Sequence, residues 1–318
     1  MSGGHLGSGD VLVAEADESD GSFLAYSPTV AVVTNVEPDH LDHYGSRAAF
    51  EEAFVAFAAR VRPGGVLVAC ADDPGSRALA RVHRDGGGSV VSYGMSPDAD
   101  LVVSGLEHEA GRVRATVTGP DGSASLQLAM PGTHNLLNAV AAVAAAQALG
   151  VAFEDAVRAV GSFRGTGRRF ELKGEVGGVR VVDDYAHHPT EVAALLVAAR
   201  EVVGRGRRGG RVVVLFQPHL YSRTRSFATE FARALGLADL VVVTGVYGAR
   251  EAPDPTVDAR TIVSLMTGPR AYAVEDRWAA ATKIASSARP GDLVLTVGAG
   301  DVTELGPRIL EHLRDELS

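Results

Sequence analysis

The amino-acid sequence predicts an α/β protein of two domains, each built on a largely parallel sheet. Three observations carry this prediction. Short apolar runs rich in β-branched residues recur along the chain, and such runs read as strands buried on both faces of a parallel sheet. They alternate with segments of helical periodicity, the rhythm of βαβ units. A length of 318 residues is long for one hydrophobic core and comfortable for two.

The first such runs are Val11–Ala14 and Thr29–Val36, each followed by a burst of acid or imidazole. Glu15, Asp17, Glu18 and Asp20 follow the first; Glu37, Asp39, His40, Asp42 and His43 follow the second. Ligands of open α/β sheets sit outside the carboxyl ends of the strands. Two adjacent strand ends of this kind would present carboxylates and imidazoles to one pocket. Mg²⁺ takes one or two carboxylates together with phosphate oxygens and water, so Glu15 and His40 are the candidate metal ligands. Taken singly, each residue also fits a solvated loop.

Phe50, Phe54 and Phe57 recur at helical spacing within Ala48–Arg60, which predicts a core-facing helix closed by Pro63-Gly64-Gly65. Val66–Ala71 reads as the next buried strand and Arg77–Val82 as a short helix. From Ser89 to Met130 the pattern alternates polar and apolar around the turn Gly119-Pro120-Asp121-Gly122, predicting antiparallel hairpins. An alanine-rich helix then runs to Gly150, with Thr133 as its cap and Asn135 and Asn138 three apart on one face. By themselves these asparagines read as capping and solvated residues. The glycine-rich, charged stretch 161–169 reads as an interdomain hinge.

Beyond Phe170 the sequence predicts strands at Val179–Val182, Arg211–Phe216, Leu240–Thr244 and Asp292–Val297. Helices are predicted at Glu191–Val203, Phe227–Leu235, Asp276–Ser286 and from about Val302. Polar clusters again follow strands. Asp183 to Glu191 ends one, and Gln217 to Arg225 ends another. His187 and His188 are sequence neighbours and rarely aim at one point, which disfavours a metal pair. Gly298-Ala299-Gly300-Asp301 is a tight strand-to-helix turn without a dinucleotide fingerprint.

Composition narrows the function classes. A formal charge of −9 argues against nucleic acid, whose phosphates attract basic surfaces. No run reaches the length of a membrane span, and the N-terminus carries neither a basic nor an apolar signal region. The single cysteine, Cys70, lies in an apolar run and reads as a small buried hydrophobe. A cytoplasmic location is expected. The only lysines, Lys173 and Lys283, do not follow a glycine-rich loop, so no P-loop is present.

EADESD followed by TNVEPDHLDHYG resembles the central ATPase domain of the Mur ligases. HNLLNA, GTGRRFE, DDYAHHPTE and FQPHLYSRTR extend that resemblance along nearly the whole chain. It implies a truncated P-loop-type ATPase sheet with a small antiparallel insert, then a Rossmann-like C-terminal domain. Residues 1–166 would form part of the central ATP-binding domain, and 167–318 the amino-acid- and nucleotide-binding domain. The implied reaction is ATP-dependent ligation of L-alanine to UDP-N-acetylmuramate through an acyl phosphate, with Mg²⁺ or Mn²⁺ as cofactor.

By that resemblance Glu15 and His40 hold the metal, while His134, Asn135 and Asn138 contact adenine or ribose. Arg169 contacts phosphate and Asp184 faces the nucleotide. Tyr185, His187, His188, His219 and Arg223 line the pocket for the amino acid and the muramate, with His187 counted among the catalytic residues beside Glu15, His40 and Arg169. Leu220 stands where some members carry arginine. No lysine lies between Leu41 and Arg60 to serve as the carbamylated lysine of sister ligases. The family's P-loop and N-terminal UDP-binding domain are not in the sequence, so the chain alone is expected to be inactive. Two other readings are a murein tripeptide-recycling ligase, in which an aromatic is expected at Ser19, and a non-catalytic nucleotide-binding derivative.

Overall fold

The computed structural model describes residues 7–109, 111–204 and 210–315. The chain divides into two compact units. The first is formed by residues up to Leu106 with Arg114–Leu126 and Leu136–Ser162. The second comprises Glu107–Val113, Gln127–Asn135 and the chain from Phe163 onward.

The first unit opens with a 3₁₀ turn at Ser22–Ala25, strand β1 (Val30–Val33), and helices α1 (Leu41–Tyr44) and α2 (Arg47–Ala58). Strand β2 (Val66–Cys70), helix α3 (Pro74–Asp85) and strand β3 (Ser89–Gly94) follow. Then come β4 (Leu101–Glu109), β5 (Arg112–Gly119) and β6 (Gly122–Leu128), and helices α4 (Thr133–Ala148) and α5 (Phe153–Gly161). The six strands form one sheet in chain order, with β1–β2 and β2–β3 parallel. The helical spacing of the phenylalanines has its expected result. Phe50 and Phe57 are buried, and the ring of Phe23 stacks on Phe57 at 5.0 Å. Burying each such ring is worth roughly 2–3 kcal/mol. Cys70, the last residue of β2, is buried, and burial pushes its thiol pKa up.

Two expectations fail here. Val11–Ala14 is not a strand, and Leu12 and Val13 are 87% and 89% exposed. Among the described residues it has no ladder partner, since β1 pairs only with β2. β-Branched content favours a pleated, packed surface and makes no strand where no neighbour completes the hydrogen bonds. Ser89–Gly94 is also not the start of an antiparallel insert. It lies parallel to β2 over five residue pairs from Val66↔Ser89 to Cys70↔Tyr93, and joins β4 through only Tyr93↔Leu101 and Gly94↔Val102. The antiparallel part, where Pro120 and Asp121 connect β5 to β6, therefore continues the main sheet instead of standing beside it.

The second unit runs β7 (Glu171–Val176), β8 (Val179–Asp184), α6 (Pro189–Val203), β9 (Val212–Phe216), α7 (Tyr221–Ser226), α8 (Ala228–Leu235) and β10 (Leu240–Val243). It continues through α9 (Arg260–Val263), β11 (Arg270–Ala273), α10 (Arg277–Ala285), β12 (Leu293–Val297), a 3₁₀ turn at Asp301–Glu304 and α11 (Leu305–Asp315). The sheet order is β11-β10-β9-β12-β8-β7, parallel except for the β7–β8 edge pair. Strand alternation splits the core in two. Val212, Val214 and Phe216 pack with α6 and α8 on one face. Val213 and Leu215 pack with α10 and α11 on the other. Each βαβ element read from the sequence is present, whereas β7, β11 and the short helices were not foreseen. No helix among the described residues is long and apolar enough to cross a membrane.

Asp73 ties the first unit together at the strand ends. Its Oδ1 caps α3 by accepting from Ser76 N at 2.6 Å, and also accepts from Val36 N beyond β1 at 3.0 Å. Losing a cap of this type costs about 1–2 kcal/mol. Asp73→Ala is therefore expected to lower the urea midpoint, with Asp73→Asn close to the parent; an unchanged midpoint in the alanine variant would contradict this role.

Candidate functional site

The carboxyl ends of β8, β9 and β12 are neighbours in the second sheet, where the chain leaves β8 and returns to place β12 between β8 and β9. A switch of this kind opens a crevice at the strand ends. Asp183, on β8, is fully buried. Its carboxylate accepts from Thr296 Oγ1 (2.7 Å), Thr303 Oγ1 (2.9 Å) and Arg168 Nε (3.2 Å). The same Arg168 guanidinium donates to the carbonyls of Gly298 (2.5 Å) and Ala299 (3.4 Å) and lies over the Tyr185 ring, 4.7 Å from its centroid. One arginine thus fastens the 165–170 loop, the end of β8 and the turn after β12. Arg168 and Phe170 adopt left-handed backbone angles, φ 59° and 49°, a strain that such a network can hold.

Asp184 follows with its carboxylate turned to backbone. It accepts from Phe170 N (2.8 Å) and Ala186 N (2.9 Å). Burial pushes its pKa up to about 6, against the pull of those two bonds and of Arg169. His188 caps α6, and Glu191 completes the capping box by accepting from His188 N and from His187 N. His188 is therefore spoken for as a helix cap, a use its motif did not announce.

His187 lies edge-on to Tyr185 at 5.2 Å and 5.9 Å from the ring of His219. Arg223, buried on α7, brings Nη1 to 3.5 Å from His219 Nδ1. Burial, with Arg223 and His187 close by, drives the His219 pKa down to about 4. The ring is neutral at ordinary pH, a hydrogen-bonding group beside a fixed cation. Leu220 has φ 66° and is buried, so its side chain joins the core. Behind this loop Gln217 donates to Asp301 (2.7 Å) and accepts from Val302 N (3.0 Å), pinning the Gly298–Asp301 turn. Sequence reasoning missed Arg168, Asp183, Glu191 and Gln217 as organisers; only their positions within strand-end motifs could have flagged them.

Thr133, expected as the cap, is the first residue of α4. Asn135 donates its amide back to Pro131 O at 2.7 Å, a bond to a carbonyl and not a cap on a free N–H, while Asn138 is exposed. Burial and the nearby Arg169 lower the pKa of His134.

In the first unit Glu15 is exposed in an extended stretch. His40, with φ 52°, turns its Nε2 to Asp39 (3.6 Å) and Glu18 (3.9 Å). Asp17 and Asp20 are taken up closing turns to Ser19 N and Ser22 N. Among the described residues no group of three or more His, Cys, Asp or Glu is placed to hold a metal by itself. Mg²⁺ in its shared mode takes only one or two protein carboxylates, with phosphate oxygens and water completing the shell, so Glu15 and His40 would have to meet it together with the substrate phosphates.

Asp184 makes a testable pH signature. Its folded pKa of about 6 exceeds the unfolded value of about 3.9, so the native state keeps its proton across that window. Its contribution to stability is full below about pH 4 and is lost as pH rises through 6, by roughly 2–3 kcal/mol. Denaturation of parent and Asp184→Asn at several pH values should show this slope only in the parent. Parallel profiles would contradict it.

Comparison with known proteins places this geometry. Residues 8–146 match the Mur ligase middle domain and 168–300 the Mur ligase, glutamate ligase domain. The UDP-N-acetylmuramate–L-alanine ligase of Kineococcus radiotolerans is 56% identical over 315 residues, covering 98% of this chain and 66% of that protein. That of Saccharopolyspora erythraea is 53% identical, covering 98% and 64%. The crystal structure of UDP-N-acetylmuramate-alanine ligase from Thermotoga maritima superposes with a TM-score of 0.72 at 30% identity, covering 95% of this chain and 63% of that one. The chain thus spans about two thirds of the length of the curated relatives it matches. Both domain models of one family match in order and together span most of the sequence, so the chain belongs to the Mur ligase family.

Proposed function

We propose that this chain carries the ATP- and amino-acid-handling part of an ATP-dependent ligase that joins L-alanine to UDP-N-acetylmuramate. The carrying observation is the 56% identity, over 98% of the chain, to a relative bearing that name. In the proposed division, residues 1–166 belong to the central ATP-binding domain and 167–318 to the C-terminal domain. A muramate carboxylate oxygen attacks the γ-phosphorus of ATP, releasing ADP and leaving an acyl phosphate. The alanine amine then attacks the acyl carbon, phosphate departs, and the nitrogen loses its proton.

Phosphoryl transfer needs charge neutralisation and alignment more than covalent help. Arg169, 5.6 Å above the Tyr185 ring, supplies a planar cation for phosphate oxygens. Asp184, on the adjoining strand end, faces the nucleotide, and His134, Asn135 and Asn138 contact adenine or ribose. Magnesium, when bound, would neutralise phosphate charge, and Glu15 and His40 would hold it. In the acceptor pocket Arg223 suits the alanine carboxylate. Neutral His219 can receive a hydrogen bond from an amine without repelling it, His187 lies beside it with Nδ1 3.3 Å from Glu191, and Tyr185 and His188 complete the lining.

A chimera in which residues 1–318 replace the matching part of the Kineococcus radiotolerans relative tests this reading. Glu15→Ala or His40→Ala in it should abolish ligation at ordinary Mg²⁺; near-normal turnover would remove that residue from the metal site.

Acceptor choice is the second test. L-Alanine should lead glycine and serine, by a modest factor, since a methyl group in a pocket is worth roughly 1–3 kcal/mol. An acidic amino acid or a tripeptide as the best acceptor would overturn the subtype.

A further inference from the structure

The segment after β10 was not singled out by any motif, yet it is built into the strand-end site. Tyr247 and His219 form an isolated parallel bridge. Tyr247 N donates to Pro218 O at 2.8 Å, and Leu220 N donates to Tyr247 O at 2.9 Å. The backbone of the 218–220 loop, including the left-handed Leu220, is therefore held in register by the residue facing it. The side chains are registered too. The phenol ring lies flat on the imidazole, with centroids 5.7 Å apart and planes 16° apart.

Tyr247 is in turn fixed from behind. A Cβ at Gly300 would fall 2.6 Å from Tyr247 Cγ and 2.4 Å from Gln217 Oε1, so the ring packs directly on the turn after β12. Gly248 is equally close to Tyr221, where a Cβ would meet Cε2 at 2.8 Å. Glu251 closes the segment by accepting from Ser222 N at 3.1 Å, at the start of α7. Tyr247 as a whole nevertheless keeps 37% of its surface exposed. Its hydroxyl has no hydrogen-bond partner among the described residues, so the fixed part of this side chain is its face.

We propose that Tyr247 is a substrate-positioning residue of the amino-acid pocket: its ring forms a wall against one face of His219 and sets the plane in which that imidazole meets the acceptor. The proposal rests on reading His187, His219 and Arg223 as the acceptor pocket. The backbone bridge and the parallel rings hold His219 in one orientation, while its edge, toward His187 at 73°, stays available. The wall also excludes water. Arg223, His187, Arg250 and Glu251 face His219 electrostatically, and burial remains the largest influence holding the ring neutral.

The test separates the stack from the function. In this chain, histidine-labelled NMR should give a His219 titration midpoint of about 4 in the parent and in Tyr247→Phe, which keeps the ring. In Tyr247→Ala it should rise toward the ordinary value of about 6.5, with Tyr247→Leu between them as a bulk-preserving control. In the chimera, Tyr247→Ala should raise the KM for L-alanine about tenfold, the worth of a well-formed aromatic contact. The KM for ATP and kcat at saturating L-alanine should stay near the parent values, and Tyr247→Phe should restore the KM.

An unmoved midpoint in Tyr247→Ala overturns the stacking role. A moved midpoint with an unmoved L-alanine KM overturns the pocket role. Ligation of another acceptor by the chimera instead refutes the functional reading and leaves the NMR result standing.

Discussion

The contact between Arg168 and the buried carboxylate of Asp183 is the constraint on which the strand-end site depends. A fully buried carboxylate without partners would cost several kcal/mol. Here two threonine hydroxyls and a guanidinium satisfy it. The consequence is geometric more than energetic. The arginine that answers the charge also binds the carbonyls after β12 and covers Tyr185, so three segments distant in sequence are assembled by one cation. Replacing Arg168 would leave a buried carboxylate with hydroxyl partners alone, which is why the pair specifies an arrangement even where its net contribution to stability is small.

Around that anchor the second unit uses its backbone economically. Asp184 and Glu191 take up N–H groups from Phe170, Ala186, His187 and His188, so both carboxylates shape loops while staying near the crevice. The histidines divide their labour. His188 caps the start of α6, whereas His187 and His219 remain edge-to-face beside Arg223. Burial keeps His219 neutral, which sets an uncharged hydrogen-bonding ring next to the fixed guanidinium of Arg223.

The first unit is organised differently. Its aromatic core of Phe23, Phe50, Phe54 and Phe57 is packed, and Asp73 joins β1 to α3. Its acidic loop residues are less gathered, with His40 turned to Asp39 and Glu18 while Glu15 stands in solvent. A hard cation that draws most of its ligands from phosphate and water needs no protein cage, and the loop carboxylates are instead used in turns.

The sequence by itself determined the α/β class, the two-domain scale, the position of nearly every buried strand and long helix, and the strand-end motifs. These are written in periodicity and turn residues, which act over a few positions. Only the tertiary structure decided that Val11–Ala14 is no strand, that Ser89–Gly94 joins the parallel ladder, and that β7 and β11 close the second sheet. Each depends on whether a partner strand lies alongside, and pairing is invisible to a local pattern. The same limit applies to the site. DDYAHHPTE and FQPHLYSRTR marked the segments that follow β8 and β9. What fastens them came from elsewhere in the chain: Arg168 across 15 residues to Asp183, Thr303 across 120, and Tyr247 flat against His219. Composition places such groups in the protein; only the crossing of strands brings them within hydrogen-bonding distance.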